Sequence, residues 1–246
     1  APNLTWGETL EFASAHHFDG IELRCLAGQV ISPATLSELL PNAAVCKRVL
    51  DERSLRFQML GTSVKLLNRT PGEIEDLVRL AEFADAVDCP WLRIFDGGKA
   101  TEPLSEADLD ATRTFLATWS ARRKALGIKA DIAVETHDAF ASLDQTKAVL
   151  GQLPSFAILW DTHHTWRFGE SLAEYYRLVS DRAVHFHLKD SVNVPSKRKP
   201  FTYVEPGTGD AKSEGFISLE WEKHWNPELA PIDEVVGSFF KITDSW

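Results

Sequence analysis

Short apolar runs alternate with longer amphipathic segments along most of the chain. The apolar runs have the composition and length of buried strands, and we predict strands near residues 20–25, 56–60, 91–96, 130–135, 156–161, 183–188 and 216–220. Apolar residues between these runs recur with a helical period, which predicts helices near 6–17, 34–52, 72–87, 105–126, 141–151, 170–180 and 232–241. Strict alternation of strands and helices indicates a parallel sheet covered by helices.

The predicted fold class is α/β, as a (β/α)8 TIM barrel formed by one domain over residues 1–246. A chain of this length commonly forms a single barrel, and it contains no linker-like segment. A closed barrel requires eight strands, whereas seven are visible, and the pattern opens with a helix followed by G-I-E-L-R at 20–24. The first strand is therefore expected either before Ala1 or, in irregular form, within residues 1–5.

Four polar residues stand near the C-terminal ends of four predicted strands: Glu135, Asp161, His187 and Glu220. They are separated by about one strand–helix–strand step each, and strand ends of a parallel barrel converge on one rim. Side chains alternate between the faces of a strand, and each of the four has the parity that faces away from the helices. Any one of them could instead cap a helix or form an ion pair. Together, three carboxylates and one imidazole favour a divalent metal site.

Other polar residues near these strand ends are candidate substrate contacts. His164 is expected on a loop above the metal site, and His137 has a similar but weaker case. Lys189 could point its ammonium group at a substrate oxygen or phosphate, or form a solvated salt bridge. Glu22 shares a face of its strand with Arg24, so it either lines the pocket or forms an internal ion pair.

The longest irregular stretch covers residues 189–215 and includes K-R-K at 197–199. Loops of this length in a compact domain are usually functional or disordered. This one leaves one proposed ligand strand and leads to the next, which predicts a cover over the barrel mouth with Lys189 closest to the substrate.

Composition narrows the classes of partner. The net charge is −10 and no Lys/Arg stripe is visible, so we expect no nucleic-acid partner. No apolar run reaches the roughly 18 residues of a membrane span, so no membrane partner is expected. Three cysteines without a C-x-x-C pattern are typical of free thiols in a reducing compartment, which predicts a cytoplasmic protein. A homo-oligomer is compatible with the sequence.

Six motifs together resemble the xylose-isomerase-like TIM-barrel superfamily, and within it the sugar phosphate isomerase/epimerase group. They are G-I-E-L-R at 20–24, E-T-H at 135–137, W-D-T-H-H at 160–164, H-F-H-L-K-D at 185–190, G-T-G-D at 207–210 and S-L-E-W-E at 218–222. By this resemblance, Glu135, Asp161, His187 and Glu220 match the Glu-Asp-His-Glu metal set of ketose 3-epimerases, and His164 matches a substrate-binding histidine. The H-L-K-D sequence is closer to the inosose dehydratase and generic isomerase branch.

The resemblance implies a metal-dependent isomerase or epimerase acting on a keto- or hydroxy-sugar or a derivative. The expected cofactor is one divalent ion, Mn²⁺ first, with Mg²⁺, Co²⁺ or Zn²⁺ as alternatives. The metal would stabilise an enediolate while Glu135 and Glu220 move the proton as catalytic residues. Dehydration of the inosose type is the alternative reaction on the same site. An endonuclease IV-like nuclease and a non-catalytic sugar binder are less favoured, since the former needs a histidine-rich three-metal cluster and a basic groove.

Overall fold

Strands and helices alternate along the computed structural model, which describes residues 3–67, 72–153, 155–210 and 217–243. The strands are β1 (Gly20–Leu23), β2 (Cys25–Leu26), β3 (Gln29–Val30), β4 (Arg56–Lys65), β5 (Trp91–Phe95), β6 (Asp131–Glu135), β7 (Ala157–Asp161), β8 (Ala183–Leu188), β9 (Asp190–Val192), β10 (Thr202–Val204) and β11 (Ile217–Leu219). The α-helices are α1 (Trp6–Ala15), α2 (Pro33–Leu39), α3 (Ala43–Glu52), α4 (Glu73–Ala86), α5 (Glu106–Leu126), α6 (Leu143–Gln152), α7 (Thr162–Phe168), α8 (Leu172–Val179) and α9 (Ile232–Thr243). Two 3₁₀ turns cover Ala139–Ala141 and Glu222–His224.

The main sheet has seven strands in the order β1-β4-β5-β6-β7-β8-β11, and every neighbouring pair is parallel. Sheet order follows chain order, and a helix separates most successive strands, so the C-terminal ends of all seven strands lie along one edge. The predicted α/β barrel class is confirmed. Residues 3–5 form no strand, because Thr5 caps α1 and the Leu4 carbonyl accepts the Ala27 N–H.

Side-chain parity in the strands follows the prediction. On β7, Ile158 and Trp160 belong to the large apolar cluster under the helices. Leu159 on the same strand joins Met59 and Ala133 in a separate cluster on the other face. The inner face of the sheet is thus apolar around these three residues, and the four predicted ligands lie nearer the C-terminal edge.

The predicted helix over 34–52 is two helices, α2 and α3, and the prediction of one helix was wrong. Pro41 disfavours the helical conformation of Leu40 before it, and Leu40 is extended. Asn42 then caps α3 by accepting the Val45 N–H at 3.1 Å.

The prediction that His164 lies on a loop was also wrong. Helix α7 begins at Thr162, directly after β7, and ends at Phe168, before Gly169, which has the left-handed conformation that favours glycine. Its seven residues are too few to show a helical period in the sequence. The helix places His164 in its first turn, on the C-terminal side of the sheet.

The segment 189–215 was predicted to be irregular, and this was wrong for part of it. Strands β9 and β10 pair there as an antiparallel hairpin, with Tyr203 opposite Ser191. Asp190 fixes the return of the chain, since its Oδ2 accepts the N–H groups of Gly207 and Gly209 at 2.9 and 2.8 Å. A Cβ on Gly209 would lie 2.3 Å from Asp190 Oδ1, so only glycine fits there. The K-R-K run lies between the two short strands, and residues 211–216 lie outside the described part of the chain.

Candidate functional site

The four predicted metal ligands come together at the C-terminal edge of the sheet. Each of Glu135, Asp161, His187 and Glu220 offers one atom that lies within 4.8 Å of the others. His187 Nδ1 is 2.8 Å from Glu220 Oε2, 3.3 Å from Glu135 Oε1 and 3.9 Å from Asp161 Oδ2. Three of the side chains are buried, whereas that of Glu220 is 30% exposed. The cluster is therefore open to solvent on the Glu220 side.

Asp161 is both a helix cap and a member of the cluster. Its Oδ1 accepts the backbone N–H groups of His163 at 2.9 Å and His164 at 3.2 Å, which satisfies the first turn of α7. Capping fixes the carboxylate plane and directs Oδ2 toward His187. The two interpretations of a strand-end aspartate are thus compatible in this residue.

Glu22 orients the imidazole of His187. Its Oε2 lies 2.8 Å from His187 Nε2 and 3.4 Å from His185 Nε2. A carboxylate is only an acceptor, so Nε2 carries the hydrogen and Nδ1 faces the three carboxylates. Glu22 therefore lies behind His187, and it pairs with histidines rather than with Arg24. An irregularity in the pairing of β1 after Ile21 accompanies this placement.

Lys189 lies inside the cluster as a buried cation. Its Nζ is 2.7 Å from both Asp161 Oδ2 and Glu220 Oε2, and 3.2 Å from Glu222 Oε1. His164 Nε2 lies 3.2 Å from the same Nζ. Of the two predicted roles, the salt bridge is the one that these contacts show, but it is buried rather than solvated.

The sequence pattern did not identify Arg93 as a residue of the site. Its Nε is 3.1 Å from Glu135 Oε2, its Nη1 donates to the Thr62 carbonyl at 2.8 Å, and its guanidinium lies 4.0 Å from the ring centre of Phe95. The signal was an arginine at inward parity within the apolar strand W-L-R-I-F at 91–95. A charged side chain at that position requires a buried partner.

Glu222 and Tyr203 were missed as well. Glu222 Oε1 accepts the hydroxyl of Tyr203 at 3.2 Å, and Lys199 Nζ is 3.1 Å from the same hydroxyl. Glu222 follows Glu220 at a spacing of two, and this spacing could have indicated that both side chains face the site. No sequence pattern indicated Tyr203, because its contact with Glu222 depends on the hairpin.

Three rings form a wall beside the cluster. The ring centre of His137 is 4.9 Å from that of Phe95 and 4.3 Å from that of His164. His137 Nδ1 is 3.0 Å from Asp138 Oδ1, which fixes the ring edge. Both histidines are partly exposed. They therefore stand where a ligand above the cluster would meet them.

The cluster carries more negative than positive charge. Burial raises the pKa of Asp161 to about 7, with Glu220 and Glu135 adding to the rise and Lys189 opposing it. Burial also opposes ionisation of Glu220, but Lys189 and His187 hold its pKa well below the usual value. Burial lowers the pKa of His187, but the carboxylates on both sides raise it by more, so the net shift is upward. The surrounding carboxylates thus stabilise the positively charged form of His187.

The sequence profile of the family described as Xylose isomerase-like TIM barrel matches residues 10–231. The chain belongs to this family. No curated protein sequence matches the chain. Among the described residues, no helix is both long and apolar enough to cross a membrane.

Solved structures of three other proteins show the same fold across almost the whole chain. The probable 3-DHS dehydratase AsbF of Bacillus anthracis has 18% identity and a TM-score of 0.78, covering 98% of this chain and 94% of its own. The IOLI protein with a binding zinc atom has 14% identity and a TM-score of 0.72, with coverages of 98% and 92%. D-allulose 3-epimerase from Methylomonas sp. has 16% identity and a TM-score of 0.67, with coverages of 97% and 90%.

The donor atoms in this member of the family fit a divalent cation. Glu135 Oε2, Asp161 Oδ2 and Glu220 Oε2 are buried, and within the described residues they lie 2.7 to 3.1 Å from the cationic groups of Arg93 and Lys189. Buried carboxylates are favourable only beside a cation, so these oxygens form a site that attracts positive charge. Three carboxylates and an imidazole suit a hard or borderline ion.

Proposed function

We propose that this chain is a divalent-metal-dependent sugar isomerase or epimerase, acting on a keto- or hydroxy-sugar or a sugar derivative. The observation that carries the proposal is the convergence of four ligand-type atoms within 4.8 Å at the C-terminal edge of a parallel sheet. In parallel barrels this edge is where active sites lie. Membership of the xylose isomerase-like family supports the sugar class of substrate.

Glu135, Asp161, His187 and Glu220 would hold one ion, Mn²⁺ in the first place and Mg²⁺, Co²⁺ or Zn²⁺ as alternatives. Bound there, the cation would stabilise the negative charge that develops on substrate oxygens when a carbon-bound proton leaves. Glu22 holds the imidazole so that Nδ1 faces the other three ligands.

Glu135 and Glu220 are the proposed proton carriers. Glu135 is the last residue of β6, and Glu220 directly follows β11. Two other strands lie between β6 and β11 in the sheet, so the two carboxylates approach from different sides. Arg93 fixes Glu135, and Lys189 contacts Glu220. One carboxylate takes the proton and the other returns one. Return to the opposite face of the same carbon gives epimerisation, and return to the neighbouring carbon gives isomerisation.

Dehydration of the inosose type is the second candidate. The H-L-K-D sequence at 187–190 supports it, and the buried ammonium group of Lys189, 2.7 Å from Glu220 Oε2, could bind the oxygen of a departing hydroxyl. An endonuclease IV-like activity ranks lower, since the four-donor cluster contains a single histidine and the net charge is −10. A small sugar is the proposed partner, whereas the cytoplasmic location and a homo-oligomer stay predictions.

The metal part of the proposal is tested by reloading chelated protein with each of the four ions and measuring metal per chain. We expect one ion per chain, and a loss of stoichiometric metal in Asp161→Asn. The matched control is Asp110→Asn, because Asp110 is an exposed aspartate on α5 that pairs with Arg113 in the next helical turn. Full metal content in a folded Asp161→Asn protein would contradict the assignment.

A further inference from the structure

A second arginine, Arg24, lies at the rim of the site. Arg24 follows β1, and its Nη1 donates to the Gly61 carbonyl at 3.2 Å and to Ser63 Oγ at 3.1 Å. Within the described part of the chain, no carboxylate oxygen lies within 4.0 Å of its guanidinium. Its direct hydrogen-bond partners are neutral, and the carboxylates of Glu135 and Glu220 act on its charge only from a greater distance.

Arg24 and Arg93 lie side by side over a single glycine. A Cβ on Gly61 would be 3.0 Å from Arg24 Cδ and 3.2 Å from Arg93 Nη2, so the glycine makes room for both side chains. Both guanidiniums also face Phe95, at 5.7 and 4.0 Å from its ring centre. Among the described residues, Arg93 alone of the two has a carboxylate within 4.0 Å, that of Glu135. Two neighbouring guanidiniums, of which one is paired with a carboxylate, favour the uptake of another anion.

The position of Arg24 connects it to the proposed reaction site. Phe95 contacts His137, and His137 contacts His164, so the ring wall leads from Arg24 to Lys189 along the rim. Burial, followed by the charge of Arg93, lowers the pKa of Arg24 to about 10, which still leaves it charged at neutral pH. A ligand whose reacting carbons lie at the carboxylate cluster could extend along this wall toward Arg24.

We propose that Arg24 binds an oxyanion, a carboxylate or a phosphate, on the part of the sugar that is remote from the reacting carbons. Acidic or phosphorylated sugars are then the substrate class, and this rests on the proposed function of the site. The planar guanidinium is suited to such groups because it donates two parallel hydrogen bonds to them. On a chain with a net charge of −10, a local cation is also what allows an anionic ligand to approach.

The test measures the affinity of Mn²⁺-loaded protein for erythritol, erythronate and erythritol 4-phosphate by calorimetry. We expect at least one of the two anions to bind about 10- to 100-fold more tightly than erythritol, the scale of a hydrogen-bonded charge pair. Comparison of the two anions distinguishes a carboxylate site from a phosphate site. Arg24→Gln should abolish this preference and leave the affinity for erythritol unchanged. Arg56→Gln is the control, since Arg56 is an exposed arginine at the start of β4.

Arg24→Lys keeps the charge and loses the two parallel donors, so it should retain only part of the preference, and unchanged binding of erythritol by this variant excludes a folding defect. The absence of any preference for an anion in the wild-type protein would overturn the proposal. A preference that survives in Arg24→Gln would also overturn it, because the anion would then be bound by the metal or by Lys189. If no probe binds better with Mn²⁺ than after chelation, the proposed function fails instead, and the two failures are therefore distinguishable.

Discussion

Replacement of Glu22 by glutamine tests whether His187 is held as a metal ligand. Glu22 Oε2 lies 2.8 Å from His187 Nε2, and the Glu22 side chain is 11% exposed. Glutamine keeps the shape of the side chain and removes its charge. The expected effect is on metal affinity, because the ring orientation and the basicity of Nδ1 both depend on this contact.

The magnitude follows from the strength of the contact. A hydrogen bond to a buried charged group contributes about 1.5–3 kcal/mol, and the glutamine carbonyl oxygen can still accept from Nε2, so the loss falls at the lower end. About 1.5 kcal/mol corresponds to a roughly tenfold higher Kd for the metal. This agrees with the 10- to 100-fold effects that are typical of partners of metal-bound histidines.

Calorimetric titration of metal-free protein with Mn²⁺ would measure this change directly. Glu82→Gln is the matched control, because Glu82 is an exposed glutamate on α4, and its Kd should equal that of the wild type. An unchanged Kd in a folded Glu22→Gln protein would refute the role of Glu22 in orienting His187.

Three further predictions concern the surroundings of the cluster. His164→Ala should raise the KM for a sugar about tenfold and leave the metal content intact, and loss of stoichiometric metal would instead identify His164 as a ligand. Replacing residues 193–201 by a tight turn, with Lys189 and Asp190 kept, should lower turnover and leave metal binding nearly unchanged, whereas unaltered kinetics would show that the hairpin is no cover. Burial lowers the pKa of His163 to about 3, so the folded state resists protonation that the unfolded chain accepts below about pH 6.5. Chemical denaturation between pH 6 and 4 should therefore show that the free energy of unfolding falls by about 1.4 kcal/mol per pH unit more in the wild type than in His163→Gln. Parallel slopes for the two proteins would contradict this.

The fold class and the cluster of four were predictable because they depend on local periodicity. The period of two along each strand decides which face a side chain occupies, and this was sufficient to place Asp161 and His187 on the same side. Convergence at one edge then follows from parallel pairing. The same reasoning would have identified Arg93, had charged residues in mid-strand been considered.

Other features depend on contacts between remote parts of the chain. Glu22 meets His187 across 165 residues, after an irregularity in β1 that no periodicity shows. Tyr203 reaches Glu222 only because the hairpin folds back over the sheet edge. Helix α7 has seven residues, too few for a period to be visible.

Exchange of deuterium from D₂O into a sugar, followed by NMR, tests the central claim most directly. With Mn²⁺-loaded protein and a panel of neutral, acidic and phosphorylated sugars, we expect deuterium at one carbon of at least one sugar, and none with chelated protein. Glu135→Gln and Glu220→Gln should each lower the rate more than about 100-fold, the scale of a positioned acid or base. A metal-loaded variant with a near-normal rate would remove that residue from the mechanism, and a complete lack of exchange across the panel in the wild-type protein would contradict proton transfer as the activity of this site.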